Sequence, residues 1–204
     1  MAYRVAYVMD QKTLANRPMA VRRVALVRDI VRRLHADHLR HTPLVPFDCE
    51  LLYERESHDP AAHKLVVDMD GFAWNDRKRA ERRMQIMLDG LTRIHLDHFQ
   101  RYPKTPSLYA SGVRYEREPP GQEDWQDIFT TLRRRSGDCE DLATWRAADL
   151  LRHGIRARAF GRPRPMLIQS PTGAEMGTLW HILVRWPNGK IEDPSKLLGM
   201  QGAA

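Results

Sequence analysis

The chain has 204 residues, two cysteines and a formal net charge of +7. Chains of this length bury roughly 70% of the surface their unfolded form exposes. No apolar run approaches the ~20 residues a membrane-spanning helix needs. Two cysteines without paired spacing, Cys49 and Cys139, exclude a disulfide framework and a cysteine-rich zinc site, and they suit a reducing compartment.

The N-terminus, Met1 to Val8, is short and alternating, so it reads as a strand and not as a signal peptide. The expected location is the cytoplasm, or a virion or particle assembled there, with no membrane contact. A long helix follows from a cap at Asn16, with Pro18 just inside it. Its stripe runs Ala20, Val24, Val27, Val31, Leu34, His38, His41, and Pro43 ends it. Strands are expected around Cys49 to Arg55 and Lys64 to Met69, and Cys49 reads as a half-buried structural thiol. A second long helix starts near Asn75 or Asp76, carries Met84, Met87, Leu88, Leu91, Ile94, His95 and His98 on one stripe, and ends before Pro103. The two helices repeat weakly at an offset of 60: Asp29, Arg33, His35, Asp37, His38 and Pro43 match Asp89, Arg93, His95, Asp97, His98 and Pro103. The histidine pairs have a spacing that metal ligands can use. Because His38, His41 and His98 continue the apolar stripes, packing is the simpler account.

Arginines crowd both long helices and flank Cys139. No aromatic-basic interleaving accompanies them, so they read as solvated faces and not as a nucleic-acid surface. In the N-terminal half they offer a docking face for a virion or assembly partner.

Residues 103–121 read as a loop. The segment Glu123 to Ile128 is expected to start a short helix that runs toward Ser136-Gly137-Asp138-Cys139-Glu140-Asp141-Leu142-Ala143. Asp138 is a natural N-cap there, and Glu140 and Asp141 suit the first turn. The thiol thus projects from a helix N-terminus, which favours thiolate, while the neighbouring carboxylates oppose it. Gly154 closes this helix.

Further on, the strand Leu179 to Trp186 alternates, and Pro187-Asn188-Gly189 fits a three-residue loop closed by a left-handed glycine. That loop sets Leu183 opposite Asp193, one diagonal step from His181 on the same sheet face. A two-residue loop would turn Asp193 away. Cys139, His181 and Asp193 then form a nucleophile, base and orienter. One oxyanion donor is the Cys139 backbone N–H; the second is sought among Trp125, Gln122 and Gln126.

Glu123-Asp124-Trp125, Ser136-Gly137-Asp138-Cys139-Glu140-Asp141-Leu142-Ala143, Gly154-Ile155, Trp180-His181 and Glu192-Asp193-Pro194 together resemble the transglutaminase-like superfamily, closest to its bacterial and phage cysteine proteinases. The resemblance spans roughly residues 120–200. It implies an α+β fold: a papain/transglutaminase-like core with the nucleophile helix packed on an antiparallel sheet. It also implies calcium bound by the acidic residues flanking the cysteine, Asp138 and Glu140 here, although catalysis requires no cofactor.

The expected organisation is an N-terminal α/β accessory region, residues 1–105, with two long helices, and a catalytic core, residues 106–204. The expected function is cysteine-dependent acyl transfer on a protein substrate, by amide hydrolysis or transglutaminase-type transfer through a thioester. The alternative is a non-catalytic structural or assembly protein, virion-associated, that retains the fold.

Overall fold

The computed structural model describes residues 3–10, 17–41, 49–55, 62–69, 76–119, 123–170 and 173–201. Helix and sheet mix in an α+β arrangement. The first half supplies β1 (Tyr3–Asp10), α1 (Arg17–His41), β2 (Cys49–Arg55), β3 (Ala62–Met69) and α2 (Arg77–Arg101). The second supplies β4 (Arg114–Tyr115), β5 (Asp124–Gln126), α3 (Ile128–Arg134), β6 (Ser136–Gly137), α4 (Cys139–Arg152), β7 (Arg158–Ser170), β8 (Gly173–Arg185), β9 (Ile191–Glu192) and α5 (Pro194–Leu197). Among the described residues, no helix is long and apolar enough to cross a membrane.

Both long helices lie where their apolar stripes put them. Asp76 caps α2, its Oδ1 accepting from Arg79 N at 3.1 Å; Asn16, the cap expected for α1, lies outside the described residues. Both helices run for 25 residues, and their sequence offset survives in space. Arg93 reaches Asp29 at 3.2 Å, and the equivalent Arg33 reaches the equivalent Asp89 at 3.8 Å. Arg22 meets Asp97 at 2.9 Å, as Arg82 meets Asp37 at 3.2 Å. Such reciprocal pairs require a local twofold relation between the helices. Ile30 seats over its own equivalent, Gly90, where a β-carbon would lie 2.3 Å from Ile30 Cδ1. The strands before the helices obey the same relation: β1 and β3 pair antiparallel with Ala6 opposite Val66.

The first sheet has the order β2-β3-β1-β5, with β5 parallel to β1. Here the expectation of a helix from Glu123 is corrected: Asp124–Gln126 is a strand, and helix α3 starts after Asp127, whose Oδ1 accepts from Thr130 N at 2.8 Å. The halves that the sequence separates near residue 105 share this sheet. They also share a core in which Val27, Leu34 and Leu88 pack with Ala143, Ala147, Ile182 and Val184. A second cluster gathers Phe99, Leu108 and Trp145 beneath the other side of α4.

Strands β4 and β6 pair parallel as a two-stranded sheet, and a third sheet, β7-β8-β9, is antiparallel and carries α4. Its first strand went unread in the sequence because Pro163 and Pro165 interrupt the pattern. Proline cannot donate to a ladder, so it belongs at a sheet edge, which is where β7 lies among the described strands.

Candidate active site

Cys139 is the first residue of α4, after the cap position Asp138. The turn is held by Asp141, whose carboxylate accepts from Asp138 N at 3.3 Å through one oxygen and from Gln126 N at 2.7 Å through the other. Asp141 thereby ties the nucleophile helix to β5. Gly137 makes room for it: a β-carbon at Gly137 would sit 3.0 Å from Asp141 Oδ2.

The sulfur lies at the edge of β8. Its one proton has Glu140 Oε2 at 3.3 Å and Trp180 O at 3.9 Å as acceptors, and the Ile182 N–H faces it. The two residues flanking His181 therefore both reach the sulfur through their backbones. Burial raises the thiol pKa well above its ordinary value, and the charges of Glu140 and Asp138 raise it further.

Beyond β8 the chain turns through Pro187, Asn188 and Gly189, with Gly189 at φ 84° and Trp186 N bonded to Lys190 O at 2.9 Å. Val184 stands opposite Glu192, the register that the three-residue loop sets, and Asp193 follows directly where the ladder ends. His181 Nε2 lies 2.9 Å from Asp193 Oδ2, with both side chains largely buried. The other oxygen of Asp193 caps α5, accepting from Lys196 N at 3.2 Å. One carboxylate thus orients an imidazole and starts a helix.

Of the three residues considered as a second oxyanion donor, Gln122 lies outside the described residues. Trp125 is buried edge-on against Tyr7, with ring centroids 5.6 Å apart. Gln126 is buried on β5, its backbone bonded to Asp141 through N and to His95 through O.

Acidic groups crowd the other side of the cysteine. Carboxylate oxygens of Glu118, Glu123 and Glu140 lie within 4.8 Å of one another. The pKa of Glu140 is pushed up to about 7 by burial and then by the Glu118 charge. Glu118 likewise sits at about 7, through burial and the charges of Asp124 and Glu123. Asp138, the other residue expected to face calcium, lies beside Glu140, and burial raises its carboxyl well above the carboxylate range. Neither Glu118 nor Glu123 was visible as a partner of Glu140 in the sequence, because the loop and β5 bring them there. Three of the four paired histidines are buried in the core, while His35 is half-buried. His38 Nδ1 is 3.0 Å from Arg83, His95 Nε2 is 3.1 Å from Gln126 O, and His98 Nε2 is 2.9 Å from Thr105 Oγ1.

No family model matches the chain, and no curated protein matches it. Among solved structures, the chain is similar to the crystal structure of a "putative cysteine protease" from Cytophaga hutchinsonii, at 15% identity and a TM-score of 0.25 over 75% of this chain. It covers 65% of that protein's length, less than two thirds.

Proposed function

We propose that the chain is a cysteine amidase with a papain/transglutaminase-like core, which hydrolyses a peptide or isopeptide bond in a protein substrate. The observation that carries this reading is the His181–Asp193 pair at 2.9 Å, with His181 on the strand whose edge holds the Cys139 sulfur. A carboxylate can only accept, so Asp193 fixes the proton on Nε2 and leaves the lone pair on Nδ1. Nδ1 takes the thiol proton as the sulfur attacks the amide carbon. The C–N bond breaks as the leaving amine takes that proton, and a thioester remains. Water then attacks the thioester, giving its proton to Nδ1, and the C–S bond breaks to restore the thiol. The Cys139 N–H, at the start of α4, serves as one oxyanion donor.

The acidic cluster suits a hard divalent cation of the calcium type. Its donors are all oxygens, and among the described residues nothing with an N–H donates to the buried Glu140 Oε1 and Asp138 Oδ1. Glu118, Glu123 and Glu140 would hold the ion, with Asp138 beside them. When bound, calcium supplies positive charge that offsets the carboxylates now disfavouring a thiolate at Cys139. The chain's own contribution is to gather those carboxylates from the loop before β5 and the start of α4 around one turn.

The test is labelling with iodoacetamide or a vinyl sulfone, with and without added calcium. Label should reach Cys139, disappear in Cys139→Ala, and slow in His181→Ala. Labelling confined to Cys49, or a rate indifferent to His181→Ala, overturns the reading.

A further inference from the structure

Strand β9 is two residues long, too short to hold its own register against β8. Yet Asp193 follows it directly, and its position sets the imidazole. Something else must fix this segment. Glu192, the last residue of β9, accepts from three donors: Arg146 Nε at 2.7 Å, Trp186 Nε1 at 2.7 Å, and the Tyr109 hydroxyl. Its side chain is 9% exposed. The Arg146 guanidinium lies over two rings, 5.0 Å from the Tyr109 centroid and 5.6 Å from that of Trp186, and its NH1 donates to Asp149 at 3.3 Å. Arg146 belongs to α4, seven residues after Cys139, which is two turns along the same face, or about 10 Å. Hence the helix that carries the sulfur is clamped, through a largely buried ion pair, to the residue beside Asp193.

We infer that Arg146 is a positioning residue: through Glu192 it locks the β8–β9 hairpin to the nucleophile helix, holding the His181–Asp193 pair in place beside Cys139. This deepens the proposed function and rests on it for its catalytic meaning. The stacking between two rings and the polar contacts to two carboxylates distinguish a rigid clamp from a solvated surface pair, whose long side chains wander.

Two readouts test it on the full chain. One is the NMR signal of the His181 Nε2 proton, which is slowed in exchange and shifted downfield while Asp193 accepts it. The other is the pH profile of Cys139 alkylation. Arg146→Met should move or broaden the imidazole signal and slow alkylation about 10- to 100-fold, the range that a small misplacement of reacting groups produces. Arg146→Lys, which keeps the charge, should restore part of both. If Arg146→Met does not fold, Glu192→Gln reads the same clamp with less loss of packing. A folded Arg146→Met with the wild-type imidazole signal and pH profile overturns the inference. Wild-type alkylation that ignores His181→Ala sinks the catalytic reading instead, and the imidazole signal still decides whether Arg146 positions the pair.

Discussion

Asp193 serves His181 and the first turn of α5 at once, Oδ2 lying 2.9 Å from the ring nitrogen and Oδ1 3.2 Å from Lys196 N. The same carboxylate cannot shift to suit one partner without loosening the other. Asp193→Asn should keep the cap, because the amide oxygen still accepts from Lys196 N. Its amide nitrogen, turned toward His181, would donate where the native oxygen accepts, and so select the opposite tautomer. Alkylation of Cys139 should fall on the order of 100-fold, within the range that general acid–base catalysis contributes. The melting temperature should move little. A variant that labels at the native rate would remove Asp193 from the proposed mechanism.

Arg23 and Arg83 occupy equivalent places on α1 and α2, and both are fully buried. Arg83 has His38 at 3.0 Å and Asp37 at 3.7 Å. Among the described residues, none of the three guanidinium nitrogens of Arg23 has a hydrogen-bond partner, and burial lowers its pKa. A buried guanidinium that makes no hydrogen bond loses little when an apolar side chain replaces it, although the Asp127 and Asp97 charges lie near Arg23, whereas removing one member of a hydrogen-bonded buried pair leaves the other stranded. Arg23→Met should therefore cost much less than Arg83→Met, which should lower stability by about 3 kcal/mol. Urea midpoints of the two variants, measured side by side, check the contrast.

Gly90 sits under Ile30 with no room for a side chain. Alanine in mid-helix gains up to about 1 kcal/mol over glycine. Here the added methyl would overlap two atoms of a packed isoleucine, at 2.3 and 2.5 Å, and overpacking costs about 1–3 kcal/mol. The overlap wins, so Gly90→Ala should lower the urea midpoint, and Gly90→Ala with Ile30→Val should recover part of the loss. Additivity of the two changes would show that the contact is not the cause.

His95 and His98 are buried, and burial, then the nearby Arg23 charge, lowers each pKa from 6.5 to about 3. A base whose folded pKa is depressed binds no proton where its unfolded form does. Between pH 6.5 and about 3 the unfolded chain therefore takes up protons the native chain refuses, and stability falls as pH falls. Above 6.5 both forms are neutral and these residues add no pH dependence. Denaturant midpoints should drop below pH 6, and less so in His98→Asn. A midpoint that holds steady from pH 7 to 4 contradicts this.

The parts of the chain governed by local rules were legible. The two long helices follow from apolar stripes ended by prolines. The α4 start follows from Asp138, and the β8–β9 register follows from the Pro187-Asn188-Gly189 loop, so the His181–Asp193 approach could be read before any coordinates. What was missed depends on contacts made across the sequence. Strand β5 is three residues, Asp124 to Gln126, and becomes a strand only because β1 lies beside it. Glu118 and Glu123 meet Glu140 only after folding. The Arg146–Glu192 clamp links residues 46 positions apart, and neither residue has a local pattern that names its partner.

Two identical subunits make self-complementary contacts about a shared axis, each donating what it receives. Helices α1 and α2 do this within one polypeptide: Arg22 gives to Asp97 what Arg82 gives to Asp37. Subunits must find each other, and their association weakens on dilution. Covalent linkage removes that dependence, so the platform beneath the cysteine helix holds at any concentration. Linkage also frees the two halves from having to match. Ile30 can seat on Gly90, a fit that an identical pair, bulk on bulk or gap on gap, could never make.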